Sequence, residues 1–160
     1  MEDTAEERRP LVLASGVFDL VHYGHVYFLE QAKKTGGDNA RLTVVVARDR
    51  MVEKTKGKPP ILHEEQRRMI VASLKPVDEA ILGHEEFDMT LMLREIRPDV
   101  VAVGYDQKQI ENEVRSVVAR KGLGIRVVRI GKFLASELDS SSKIRRKILG
   151  QHQTALPVPK

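Results

Sequence analysis

The chain has 160 residues, 41% of them hydrophobic and 31% charged, which suits one soluble α/β domain with a proper core and is too short for two large ones. It has no cysteine, so disulfides, thiolate nucleophiles and cysteine metal sites are excluded. The net charge is only +4 and aromatics are 4%, with no run that interleaves basic residues and stacking rings; small phosphorylated ligands explain the surplus better than nucleic acid does.

Residues 1–8 read as a charged, disordered leader without the apolar core of a signal peptide. No apolar run reaches membrane-spanning length, so the protein is read as cytoplasmic, with no membrane partner. One domain is expected over 9–150, followed by a flexible tail over 151–160. The first strand is predicted over Pro10–Ser15. A helix follows over His25–Lys34, with Val26, Phe28, Leu29 and Ala32 as its apolar set and Gly36-Gly37 at its end. Arg41–Ala47 is a second strand, and its Val44-Val45-Val46 run suits burial on both faces. Lys54, Lys56 and Lys58 then fall in a glycine-and-proline segment read as a mobile loop. A helix over Glu64–Leu74, a short strand over Ala80–Leu82 and a helix over Phe87–Ile96 come next, the last closed by Arg97-Pro98. Val100–Val103 is a fourth strand, Ile110–Lys121 a helix, Ile125–Ile130 a fifth strand and Ser141–Leu149 a final helix.

This alternation predicts a Rossmann-like, doubly wound, five-stranded parallel sheet. Ligands of such sheets lie beyond the carboxyl ends of the strands, at the switch point. Three segments fall at such ends: Gly16 to His25, Ala47 to Lys58, and Gly104 to Asp106. In the first, a strand breaks at Gly16 and a helix begins after His22-Tyr23-Gly24-His25. Glycines let backbone approach an anion, and a helix start offers free N–H groups and the positive end of its dipole. His22 and His25 are three apart, so their rings share one side of the first turn. The hydroxyls of Ser140, Ser141 and Ser142 precede a helix, where they serve as an N-cap or, with Arg145, as phosphate donors.

Gly16-Val17-Phe18-Asp19-Leu20-Val21-His22-Tyr23-Gly24-His25 matches the pattern GxFDxxHxGH, which resembles the signature of the nucleotidylyltransferase superfamily. Ser140 to Arg146 resembles that superfamily's second motif, ISSTxIR, with Asp139 where isoleucine is usual and Ser142 for threonine. Val46-Ala47-Arg48-Asp49, Lys56-Gly57-Lys58-Pro59, Glu64-Glu65-Gln66-Arg67-Arg68 and Leu74 to Gly83 look like the archaeal FAD synthases, which are similar to glycerol-3-phosphate cytidylyltransferase.

The resemblance implies transfer of AMP from ATP to FMN, giving FAD and pyrophosphate by direct in-line displacement. It implies His22 and His25 at the α-phosphate, and Lys56 and Arg145 on the leaving pyrophosphate. Lys58 and Arg67 would support the active-site loop. Gly16, Val17, Phe18, Asp19, Tyr23, Gly24, Asp106, Ser140, Ser141 and Ser142 would line the nucleotide site. A divalent cation, magnesium or manganese, is expected with ATP, no tightly bound prosthetic group, and a homodimer. Tyr23, Tyr27, Phe87, Tyr105 and Phe133 are all open candidates for the flavin wall. A CTP-dependent transferase acting on glycerol 3-phosphate or another alcohol phosphate shares every motif, and a catalytically decayed nucleotide-binding regulator is the alternative of another class.

Overall fold

Apolar residues alternate between two faces on each central strand, and both faces are covered by helices. The computed structural model describes residues 8–134 and 138–154, the last three by backbone alone. Five strands, β1 (Leu11–Gly16), β2 (Arg41–Val46), β3 (Glu79–Leu82), β4 (Val100–Val103) and β5 (Arg126–Arg129), form one sheet. Its order is β3-β2-β1-β4-β5 and every pairing is parallel, as in a doubly wound Rossmann-like fold.

Helix α1 (Tyr23–Lys34) and helix α3 (Glu64–Ala72) cover one face, where Leu29, Ala32 and Val71 meet Val12, Ala14, Leu42, Val44, Val46 and Ala102. Two helices further along the chain, α4 (Met89–Ile96) and α5 (Lys108–Lys121), cover the other, where Met92, Leu93, Val114 and Val117 meet Leu13, Val45, Val101 and Val103. The winding direction reverses between β1 and β4, so the carboxyl ends of these two strands flank the switch point. At the amino ends of the strands, the carboxylates of Asp99 and Asp78 accept the N–H groups of Leu11, first in β1, and Leu42, second in β2, both at 2.7 Å. Asp99 also pairs with Arg8, the first described residue; residues 1–7 of the expected leader lie outside the described residues.

Two expectations are corrected. Lys54 and Lys56 do not lie on a loop: Asp49–Lys56 forms a helix, α2, which ends at Gly57 with φ 71° in the left-handed region that glycine tolerates. The backbone N–H of Asp49 donates to Glu64 (2.7 Å) and that of Glu64 donates to Asp49 (3.2 Å), so α2 and α3 cap each other. The final helix, α6 (Ser141–Thr154), runs past Leu149 into the segment read as tail. Residues 155–160 of that tail are outside the described residues.

Candidate active site

The chain leaves β1 at Gly16 and enters α1 through two non-glycine residues with positive φ, Phe18 at 54° and Leu20 at 49°. Such a conformation costs about 1–3 kcal/mol per residue and persists only where neighbours hold it. Here the neighbours are specific. The Phe18 ring is buried in the core and lies so close to Gly16 that a Cβ there would stand 2.9 Å from it. The Val17 carbonyl accepts from Arg67, and Asp19 is anchored twice over.

His22 is the N-cap of α1. Its Nδ1 accepts from the Gly24 N–H at 3.1 Å, while Nδ1 of His25 accepts from the His22 N–H at 3.3 Å. The ring centroids are 4.0 Å apart. With each Nδ1 accepting, the proton of each neutral ring sits on Nε2, leaving two imidazole N–H donors side by side at a helix start. Burial holds His25 down to about 4; the charges of His22 and Lys56 push the same way and Asp19 opposes them. Burial lowers His22 also, against the carboxylate of Asp139. Both rings are therefore neutral donors at neutral pH.

Arg67 was expected to support a loop, and the structure gives it a larger part. It is the bulkiest fully buried side chain. Its guanidinium donates to the carbonyls of Leu62 (2.9 Å), Val17 (2.5 Å) and Ala47 (2.8 Å) and to Asp49 (2.6 Å). One side chain thus fixes the exits of β1 and β2 and the approach to α3. Lys56 is the exposed last residue of α2, and its charge is felt by His25; Lys58 is exposed beyond Gly57.

Asp19 accepts the N–H groups of Ile61 (2.8 Å) and Leu62 (3.0 Å) and a bond from Arg145 Nη2 (2.7 Å). Burial works against its ionisation, but these donors together lower its pKa. Its carboxylate is therefore a strut that joins the exit of β1 to the approach to α3 and to α6. Arg145 keeps a donor in hand: its Nε is buried and makes no hydrogen bond among the described residues. Ser141 Oγ donates to the Asp19 carbonyl, Ser140 Oγ accepts the Lys143 N–H (3.3 Å) as the cap of α6, and Ser142 is exposed.

Asp106 is exposed in the turn after β4, and the side chain that holds this turn is that of its neighbour Gln107. The Gln107 amide accepts from the Gly104 N–H (2.7 Å) and donates to the Ser15 carbonyl (2.9 Å), tying the ends of β4 and β1 across the switch point. Asp139 pairs with both Lys132 (3.0 Å) and Lys143 (2.7 Å). Sequence reasoning noted Asp139 only as a departure from a motif; its side-chain partners lie on either side of it in the chain, within seven residues. Of the candidate aromatic walls, Tyr23 and Tyr27 converge on Phe133, with centroids at 5.0 and 5.1 Å. Tyr105 instead lies under Lys132, 5.6 Å from its Nζ. Among the described residues, no three metal-ligating side chains converge, and no helix is long and apolar enough to cross a membrane.

A family model described as cytidylyltransferase-like matches residues 13–147. The FAD synthase of Methanothermobacter marburgensis is 51% identical over 137 residues, which span 86% of this chain and 84% of that protein. The FAD synthase of Thermoplasma acidophilum is 46% identical over 138 residues, spanning 86% and 93%. Among solved structures, the lipopolysaccharide core biosynthesis protein from Thermoplasma volcanium superposes with a TM-score of 0.71 at 42% identity, covering 79% of this chain and 100% of that one. Pantothenate synthetase from Thermus thermophilus, at 14% identity and a TM-score of 0.55, shares the fold alone.

Proposed function

This chain belongs to the cytidylyltransferase-like family, and from that premise we propose that it is an FAD synthase, transferring AMP from ATP to the phosphate of FMN with release of pyrophosphate. What carries the reading is its identity of 42–51% with proteins named FAD synthase over 86% of its length. Neutral donors at the head of α1 support the same chemistry from the side of geometry.

The nucleophile is a phosphate oxygen of FMN, anionic already at neutral pH, so no general base is required. It attacks the α-phosphorus of ATP in line; the new P–O bond forms as the bond to the β-phosphate oxygen breaks, and the electron pair leaves on pyrophosphate. His22 and His25 donate their Nε2–H groups to the α-phosphate and bridging oxygens, where negative charge grows. Being neutral, they stabilise that charge as Nε2–H donors, while each Nδ1 is occupied as the acceptor of a backbone N–H and so does not take up a proton. Lys56 and Arg145 receive the pyrophosphate, with the Arg145 guanidinium aimed by its bond to Asp19. Val17 and Gly16 line the cleft with backbone held by Arg67 and Phe18. ATP enters with its own magnesium or manganese ion as part of the substrate, held by phosphate oxygens.

Gly24 illustrates how tightly the pair is set. A Cβ there would lie 2.9 Å from the His22 ring and 3.2 Å from the Asp139 carbonyl. Gly24→Ala is expected to displace the ring and lower kcat by about 100-fold, the scale of a 1 Å misplacement, while the thermal unfolding midpoint moves little. Parallel turnover and melting measurements check this.

The function itself is tested by crossing ATP and CTP with FMN and glycerol 3-phosphate and following pyrophosphate release and FAD formation. Release with ATP and FMN alone, with inversion at the α-phosphorus, is expected. Release with CTP and glycerol 3-phosphate would overturn the acceptor, and silence in every combination would overturn the activity.

A further inference from the structure

Two lysines outside the roles assigned so far meet on one buried carboxylate. The Asp139 side chain is only 7% exposed and lies between Lys143 Nζ at 2.7 Å and Lys132 Nζ at 3.0 Å, whose side chains are 44% and 37% exposed. Pairing with Lys143 and Lys132 holds the carboxyl down to about 2, so it is charged at all working pH values. The cluster carries two cations on one anion. A purely structural pair needs a single lysine, and each ammonium has three donors. Although Lys143 Nζ stands 2.7 Å from it, Asp139 Oδ1 makes no hydrogen bond among the described residues, so that pairing is one of charge and does not spend the donors of Lys143.

The place of the cluster is as telling as its charge. Asp139 directly precedes the serines that open α6, and its carbonyl lies against the His22–Gly24 turn, 3.2 Å from where a Gly24 Cβ would be. Its charge is felt by His22. Lys132 comes from the exit of β5 and Lys143 from the first turn of α6, so the partly exposed ammoniums approach the site from two segments. A leaving diphosphate needs this arrangement of convergent cations beside the histidines that hold the α-phosphate.

We propose that Lys132 and Lys143 form a clamp for the pyrophosphate portion of ATP, and that Asp139 is the positioning residue that aims both. The proposal deepens the FAD synthase reading but depends only on a diphosphate at this site. Its test is calorimetric titration of the full chain with inorganic pyrophosphate and magnesium, without FMN. Lys132→Gln and Lys143→Gln are each expected to weaken pyrophosphate about tenfold, the order of one charge-assisted hydrogen bond. Asp139→Asn is expected to weaken it comparably, and Lys132→Gln made on that background to cost much less than it does in the wild type. In steady state the KM for ATP should rise with these losses and the KM for FMN should stay.

Unchanged affinity in the two lysine variants would overturn the clamp, whatever happens to their melting temperature. Unchanged or tighter binding in Asp139→Asn, with both lysine variants weakened, would overturn the role given to Asp139. If the wild type makes no FAD and the lysine variants still lose pyrophosphate, the clamp stands and the acceptor assignment falls.

Discussion

Replacing His25 with asparagine is expected to slow FAD formation by about 100- to 1000-fold, the usual loss when one preorganised donor to a developing charge is removed. Asparagine keeps an acceptor near the position of Nδ1, so the bond from the His22 N–H and the start of α1 survive. What disappears is the Nε2–H. His25→Gln, whose longer side chain carries an amide N–H out to that distance, should recover part of the rate. Equal activity in both variants would mean that His25 acts only as a cap.

The same residue sets a pH dependence of stability. Its folded pKa is about 4, against 6.5 for a free imidazole, because burial penalises the cation. The unfolded chain therefore takes up the proton first as pH falls. The stability His25 contributes is fully present above pH 6.5 and is lost as pH falls through about 4. Melting curves of the wild type should shift down across that window, and His25→Asn should lose part of the shift. Between pH 8 and 5 the ring stays neutral, so His25 itself should add no inflection to the rate profile.

Arg67→Ala is expected to be the most damaging change to the fold. It strands three backbone carbonyls and the Asp49 carboxylate and leaves a void at a position with 0% exposure. Breaking a buried ionic network in this way costs about 3–5 kcal/mol, or on the order of 10 °C in melting temperature for a chain of this size. Arg67→Lys should rescue little, because a single ammonium cannot span the directions that the planar guanidinium serves. Thermal melts followed by circular dichroism would check both variants, and a midpoint within two or three degrees of wild type would sink the argument.

Much of this architecture was legible in the sequence because it rests on local pattern. Val44-Val45-Val46 and Val100–Val103 read as strands buried on both faces, and the structure puts them there. His22 and His25 were legible because a spacing of three on a helix start has one geometric meaning. Helix α2 was not, since only Val52 is buried along it and Lys-Thr-Lys-Gly-Lys-Pro looks like a loop. Its start depends on Glu64, 15 residues away, which periodicity cannot reveal. Arg67 sits in a run of charges that reads as a solvated helix face, and three of its four acceptors come from distant or irregular backbone. Asp19 is legible as part of a motif, but the partners of its carboxylate, Ile61, Leu62 and Arg145, are brought to it only by folding.

Those partners have a temporal consequence. The groups that bind the Asp19 carboxylate lie 42, 43 and 126 positions further along the chain. On the ribosome the first motif emerges well before its partners, and its strained turn lacks the Arg145 anchor until a further 126 residues have been synthesised. Long loop closure of this kind is slow and late in folding. The nascent protein thus carries the histidines without the means to aim them until α6 has been made, and competence arrives only when α6 docks.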